Sequence, residues 1–132
     1  MTQIDAVDLA SVELFANLDE EGRAIVANWL ETIEVPVGWE LTHQGQAGYV
    51  FYVLREGTAE VRVDGATVRV LSPGDYFGEL SMLGDGTQTA TVVVTSPSIV
   101  WSMFGTRFRE LQRDHPDIAA VIERTAAERQ AG

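Results

Sequence analysis

Tyr76-Phe77-Gly78-Glu79-Leu80-Ser81-Met82-Leu83-Gly84-Asp85-Gly86-Thr87-Gln88-Thr89-Ala90-Thr91 joins one run of extended segments to another, and the fold turns on how it is read. Phe77 and Gly78 end a strand, and Glu79 to Leu83 have the length of about one helical turn. Gly84-Asp85-Gly86 breaks that turn, because glycine admits backbone angles that other residues avoid. A strand follows over Thr89 to Val94. A glycine leading into a short helical turn that bears a carboxylate has a chemical use. Free N–H groups at the start of the turn meet an anion, and the carboxylate accepts from a neighbouring hydroxyl. The stretch is a candidate pocket rather than a simple hairpin connection.

The spacing from Gly78-Glu79-Leu80 to Gln88-Thr89-Ala90 resembles the phosphate-binding cassette of the cyclic-nucleotide-binding domain family. Catabolite activator-type regulators, regulatory subunits of cyclic-AMP-dependent kinase and nucleotide-gated channels share that domain. The resemblance runs from about Leu14 to Arg129, and Gly45, Gly57, Gly74 and Gly78 fall where the family expects glycine. It implies that Glu79 accepts a hydrogen bond from the ribose 2′-hydroxyl. Phe77 closes the strand that leads into this pocket, and N–H groups around Gly78, Leu80 and Ser81 approach the sugar and cyclic phosphate. Thr89 and Ala90 complete the phosphate pocket, with the Thr89 hydroxyl in reach of a guanine base. Val68 and Leu71 make apolar contacts to sugar and base.

One position departs from the pattern. Where the family places an arginine, this chain has Gln88. The arginine gives the cyclic phosphate a forked, charge-assisted contact, whereas the glutamine amide donates without charge. Hydrogen bonds to charged groups are worth roughly 1.5–3 kcal/mol. At about 1.4 kcal/mol per tenfold, the exchange costs roughly one to two orders of affinity or more. Arg69 and Arg124 are the candidates to stand in for it.

The chain has 132 residues, a length that suits one domain around one core. It carries a net charge of -11, and all nine basic residues are arginine. Such an acidic surface repels nucleic acid unless its arginines gather on one face. Without lysine there is no Walker-type phosphate loop and no Schiff-base chemistry. Without cysteine there is neither a disulfide framework nor a thiolate metal site. No apolar run approaches the roughly 20 residues a membrane helix needs, and no signal peptide opens the chain, so a cytoplasmic protein is expected.

Hydrophobic spacing supplies the elements. Val7, Leu9, Val12, Leu14, Phe15 and Leu18 recur at loosely helical intervals. Asp19 caps a second helix, whose apolar face is Ile25, Val26, Trp29, Leu30 and Ile33 and which Pro36 stops. Short strands are expected at Val35–Gly38, Glu40–Thr42, Tyr49–Leu54, Thr58–Val63, Thr67–Leu71, Thr91–Thr95 and Ser98–Ser102. Asp64-Gly65 marks a two-residue hairpin, and Gly45-Gln46-Ala47-Gly48 reads as a flexible connection. Phe104, Phe108 and Leu111 then share a helical face, and Pro116 opens a last helix with Ile118, Val121, Ile122 and Thr125 on its apolar side. The expected fold is mainly β with flanking helices: a β-roll, a jelly-roll-like barrel, between N-terminal helices and two C-terminal helices. One domain is expected over 1–132, with helices over 1–33, the roll over 34–103 holding the cassette at 77–91, and helices over 104–130.

Other chemistry finds little support. Ser81 sits outside any nucleophile elbow, and Gly84-Asp85-Gly86 lacks the third glycine of a dinucleotide fingerprint. His43 and His115 have no ligand-spaced partner, and Trp29, Trp39 and Trp101 read as core or rim packing. No catalytic residue, metal site or cofactor is therefore expected. The family's DNA-binding helix-turn-helix lies beyond Gly132, so direct action as a transcription factor is not expected. The functional expectation is a non-enzymatic sensor or regulatory module for cyclic AMP or cyclic GMP, weakened by Gln88, whose C-terminal helices respond to the ligand. The alternative is the same fold retained without nucleotide as a protein-interaction scaffold. Partners would be the nucleotide and a protein or a second copy met through the terminal helices, with no nucleic acid and no membrane.

Overall fold

The computed structural model describes residues 4–48, 50–78 and 87–131. Helix α1, Ala6–Leu9, is one turn capped by Asp5, whose carboxylate accepts from the Val7 N–H at 3.2 Å. A 3-10 turn over Glu13–Phe15 follows, so the loosely helical N-terminal spacing resolves into two short turns. Their purpose is burial: Leu9, Val12, Leu14, Phe15 and Leu18 all enter the core. Helix α2, Glu20–Ala27, begins as expected at Asp19, which accepts from the Gly22 N–H at 2.7 Å with Glu20 and Glu21 in the first turn.

The end of α2 differs from the sequence expectation. The helix stops at Ala27 rather than running to Ile33, and strand β1, Glu31–Val35, takes up the residues before Pro36. Thr32, Ile33 and Val35 are β-branched and fit a pleated surface. Pairing with a long strand, in the register Glu31↔Ser102 to Val35↔Ser98, gives those backbone groups partners that override the helical spacing. The roll therefore starts at 31 and not at 34, and of Val35–Gly38 only Val35 is in a strand.

The remaining strands are β2 (Glu40–Thr42), β3 (Val50–Glu56), β4 (Ala59–Val63), β5 (Ala66–Leu71), β6 (Tyr76–Phe77), β7 (Thr91–Val94) and β8 (Ser98–Phe104). They form two antiparallel sheets, ordered β1-β8-β3-β6 and β2-β7-β4-β5. Asp64 and Gly65 join β4 to β5 with φ of 53° and 83°, the paired positive values of a type I′ hairpin. Helices α3, Gly105–Asp114, and α4, Pro116–Ala131, close the chain. Phe104 is the last residue of β8 and 47% exposed, so the buried face of α3 is carried by Phe108 and Leu111 without it.

Two hydrophobic clusters result. One fills the space between the helices and one face of the first sheet, where Phe51, Val53, Trp101 and Met103 meet Phe15, Phe108, Leu111 and Ile122. The other lies between the sheets and holds Val35, Leu41, Leu54, Ala59, Leu71, Phe77, Val92, Val94 and Val100. Asn17 Nδ2 donates to the buried Thr125 Oγ1 at 3.1 Å and so ties the N-terminal turns to α4. Trp101 is buried and Trp29 packs on the helical cluster, while Trp39 is 54% exposed. This is the β-roll with helices at both ends that the sequence predicted. Among the described residues no helix is long and apolar enough to cross a membrane.

Candidate ligand-binding site

The two ends of the cassette are held by different means. At its start, Phe77 is buried and its ring stacks on Tyr52, with centroids 5.2 Å apart and planes 26° from parallel. Gly78 follows with φ of 85°, and a Cβ there would run into the Val50 carbonyl oxygen. Only glycine fits, in conformation and in space. Gly45, Gly57 and Gly74, the other positions singled out by the family spacing, also have positive φ.

Glu79, Leu80 and Ser81, on which the sugar and phosphate contacts were expected, lie outside the described residues, as do residues 82–86. The far end of the cassette returns at Thr87, which bridges Ala47. Gln88 is then fixed from four directions. Its N–H donates to Gln46 O at 2.9 Å, and its carbonyl accepts from the Gly45 N–H at 2.9 Å. Its side-chain Oε1 accepts from the His43 N–H at 2.6 Å, and its amide nitrogen lies where a Cβ on Gly48 would have to sit. The 45–48 segment, expected as a flexible connection, is thus a clasp around Gln88. Neighbouring bonds extend it: Thr42 Oγ1 donates to Ala90 O at 2.9 Å, and the Gln44 N–H donates to Thr91 Oγ1 at 3.0 Å. Thr89 is exposed and Ala90 partly buried.

The two apolar candidates on β5 separate. Leu71 is fully buried between the sheets opposite Ala59, whereas Val68 is 61% exposed at the register shift of the β4–β5 pair. Leu71 and Phe77 share one interior; Val68 does not join them.

Electrostatically, five of the arginines are engaged elsewhere. Arg69 meets Asp75 at 3.5 Å, Arg62 meets Glu60 at 3.0 Å, and Arg113 meets Asp114 at 3.1 Å. Arg107 lies 3.7 Å from Glu110 and Arg55 lies over the Trp101 ring. Arg124 is exposed on α4. Glu60, held by hydrogen bonds from Thr67 and Arg62, has its carboxyl below the usual range. Burial pushes the Tyr52 phenol up from the ordinary tyrosine value. Tyr52, His43 and Gly48 were not among the residues expected at the site. Alternation along β3 was the available signal for Tyr52, since it puts that ring on the same side as Leu54; the contacts of His43 and Gly48 are long-range and left no local signal.

Residues 32–115 match the family described as Cyclic nucleotide-binding domain. A cAMP-dependent protein kinase regulatory subunit from Yarrowia lipolytica is 37% identical over 101 residues, which covers 76% of this chain and 27% of that protein. The chain spans about a quarter of the length of such curated relatives. Among solved structures, the N-terminal domain of a transcriptional regulator from Streptomyces coelicolor A3(2) superposes with a TM-score of 0.81 at 28% identity, over 94% of this chain and 90% of that one. The regulatory subunit of a cAMP-independent protein kinase A from Trypanosoma brucei superposes with a TM-score of 0.74 at 25% identity, over 82% of this chain and 40% of that one. It is a triple variant, including a threonine-to-arginine change, bound to cAMP. The roll, its glycines and these matches agree: the chain belongs to the cyclic nucleotide-binding domain family.

Proposed function

We propose that this domain is a non-catalytic sensor that takes cyclic AMP or cyclic GMP in its β-roll with weakened affinity. The observation that carries the weakening is at Gln88. Its uncharged side chain stands where the resemblance puts an arginine, and its oxygen is already engaged by the His43 N–H. A cyclic phosphate there meets no guanidinium from residue 88, and the net charge of -11 offers no compensating field. Glu79 is the group proposed for the ribose hydroxyl, with N–H groups of Gly78, Leu80 and Ser81 on the sugar and phosphate and Thr89 and Ala90 beside them. No cofactor is required.

The proposed response runs through β3. Val50 has Gly78 against its carbonyl on one side and pairs with Phe104, the residue before α3, on the other. A ligand that moves the start of the cassette therefore acts on the root of the C-terminal helices.

Calorimetric titration of the protein and of Gln88→Arg with both nucleotides tests the proposal. Weak binding by the parent, tightened roughly tenfold or more in the variant, is expected from the value of a charge-assisted bond. Silence from both proteins at millimolar nucleotide would leave the fold as an interaction scaffold instead.

A further inference from the structure

The inner face of the β1-β8-β3-β6 sheet carries a buried hydroxyl that finds no partner among the described residues. Glu31, Ser102, Tyr52 and Phe77 stand opposite one another in a single row across the four strands. Side chains alternate along a strand. Val100 and Leu54, two residues from Ser102 and Tyr52, pack between the sheets, whereas Trp101, Met103, Phe51 and Val53 pack against the helices. Ser102 and Tyr52 consequently face the roll interior. Ser102 is 1% exposed, and its Oγ has no hydrogen-bond partner among the described residues. Tyr52 beside it is half-buried and stacks on Phe77, the residue before Gly78. The row thus leads from the root of the cassette to a buried, unsatisfied hydroxyl.

A buried hydroxyl without a partner has given up its bonds to water for nothing, and native proteins hold few such groups. The row contains no cation, and its far end is the Glu31 carboxylate, so it does not suit a phosphate. We propose that Ser102, with Tyr52 beside it, recognises an uncharged hydrogen-bonding group of the bound nucleotide from the wall of the roll. This inference rests on the sensor reading above.

The test is calorimetry and thermal melting of the full chain, Ser102→Ala and Tyr52→Phe, each with and without Gln88→Arg, using cyclic AMP, cyclic GMP and 2′-deoxy cyclic AMP. Ser102→Ala is expected to weaken binding about three- to tenfold, as for loss of one neutral hydrogen bond. Its melting temperature without nucleotide should stay level or rise, because an unsatisfied group has been removed. An effect that vanishes with the deoxy sugar assigns the contact to the ribose, and one that differs between the two bases assigns it to the base. If the parent and Gln88→Arg bind while Ser102→Ala keeps their affinity within about twofold, the inference is wrong and the sensor reading stands. If neither parent nor Gln88→Arg binds, both fall.

Discussion

Gly78 is the position where a single methyl group does most harm. Its φ of 85° is strained for any other residue, and the added carbon meets the Val50 carbonyl. Gly78→Ala should destabilise the protein by about 1–3 kcal/mol from the backbone alone, with the clash on top, as read from urea midpoints. Gln88 is a milder case. Gln88→Ala frees the His43 N–H, and about 1 kcal/mol should be lost, a fall of roughly 3–6 °C in melting temperature. Tyr52 gives a spectroscopic handle. Its folded pKa lies above that of the unfolded chain, so the folded state holds the proton longer. The neutral phenol leaves stability intact below roughly pH 10, and stability falls as pH rises past the unfolded value. Tyrosinate absorbance should include a Tyr52 component that titrates late in the native protein, and Tyr52→Phe should remove that component.

Among the elements, those governed by local chemistry were legible in advance. Asp64-Gly65 specifies its hairpin because both residues tolerate positive φ, and Asp19 and Pro116 mark helix starts through their own side chains. What stayed hidden depends on residues far away in the chain. The end of α2 is decided by the pairing of β1 with β8, some seventy residues on. The clasp around Gln88 is built from the 43–48 segment, whose composition reads only as a loop. The candidate site stands out in the sequence as a motif at Gly78 and Gln88, yet the exposure of Val68 follows from a register shift that no local pattern announces. The tie between the N-terminal turns and α4 is another such long-range bond. Thr125 Oγ1 accepts from Asn17 and donates to Val121 O at 3.0 Å. Thr125→Val leaves the Asn17 amide without that partner, and amide exchange along α4 should quicken in step with a loss of about 1 kcal/mol.

For the whole molecule, charge is the dominant long-range fact. At -11 over 132 residues the folded state repels itself, so added sodium chloride should raise the melting temperature. The same field opposes an anionic ligand. Cyclic AMP affinity should therefore rise with ionic strength, the reverse of sites that hold a phosphate with cations, and calorimetry over a salt series would reveal the sign.

The first sheet has one hydrophobic cluster on each side, and β8 contributes Val100 to one and Trp101 and Met103 to the other. Such a strand is a partition between two filled rooms. It cannot slide by one residue without exchanging the contents of both, so it can only tilt as a plate. Whatever presses on it from the roll is then felt by the helices beyond as a displacement of their floor, and no hinge is needed to carry the message.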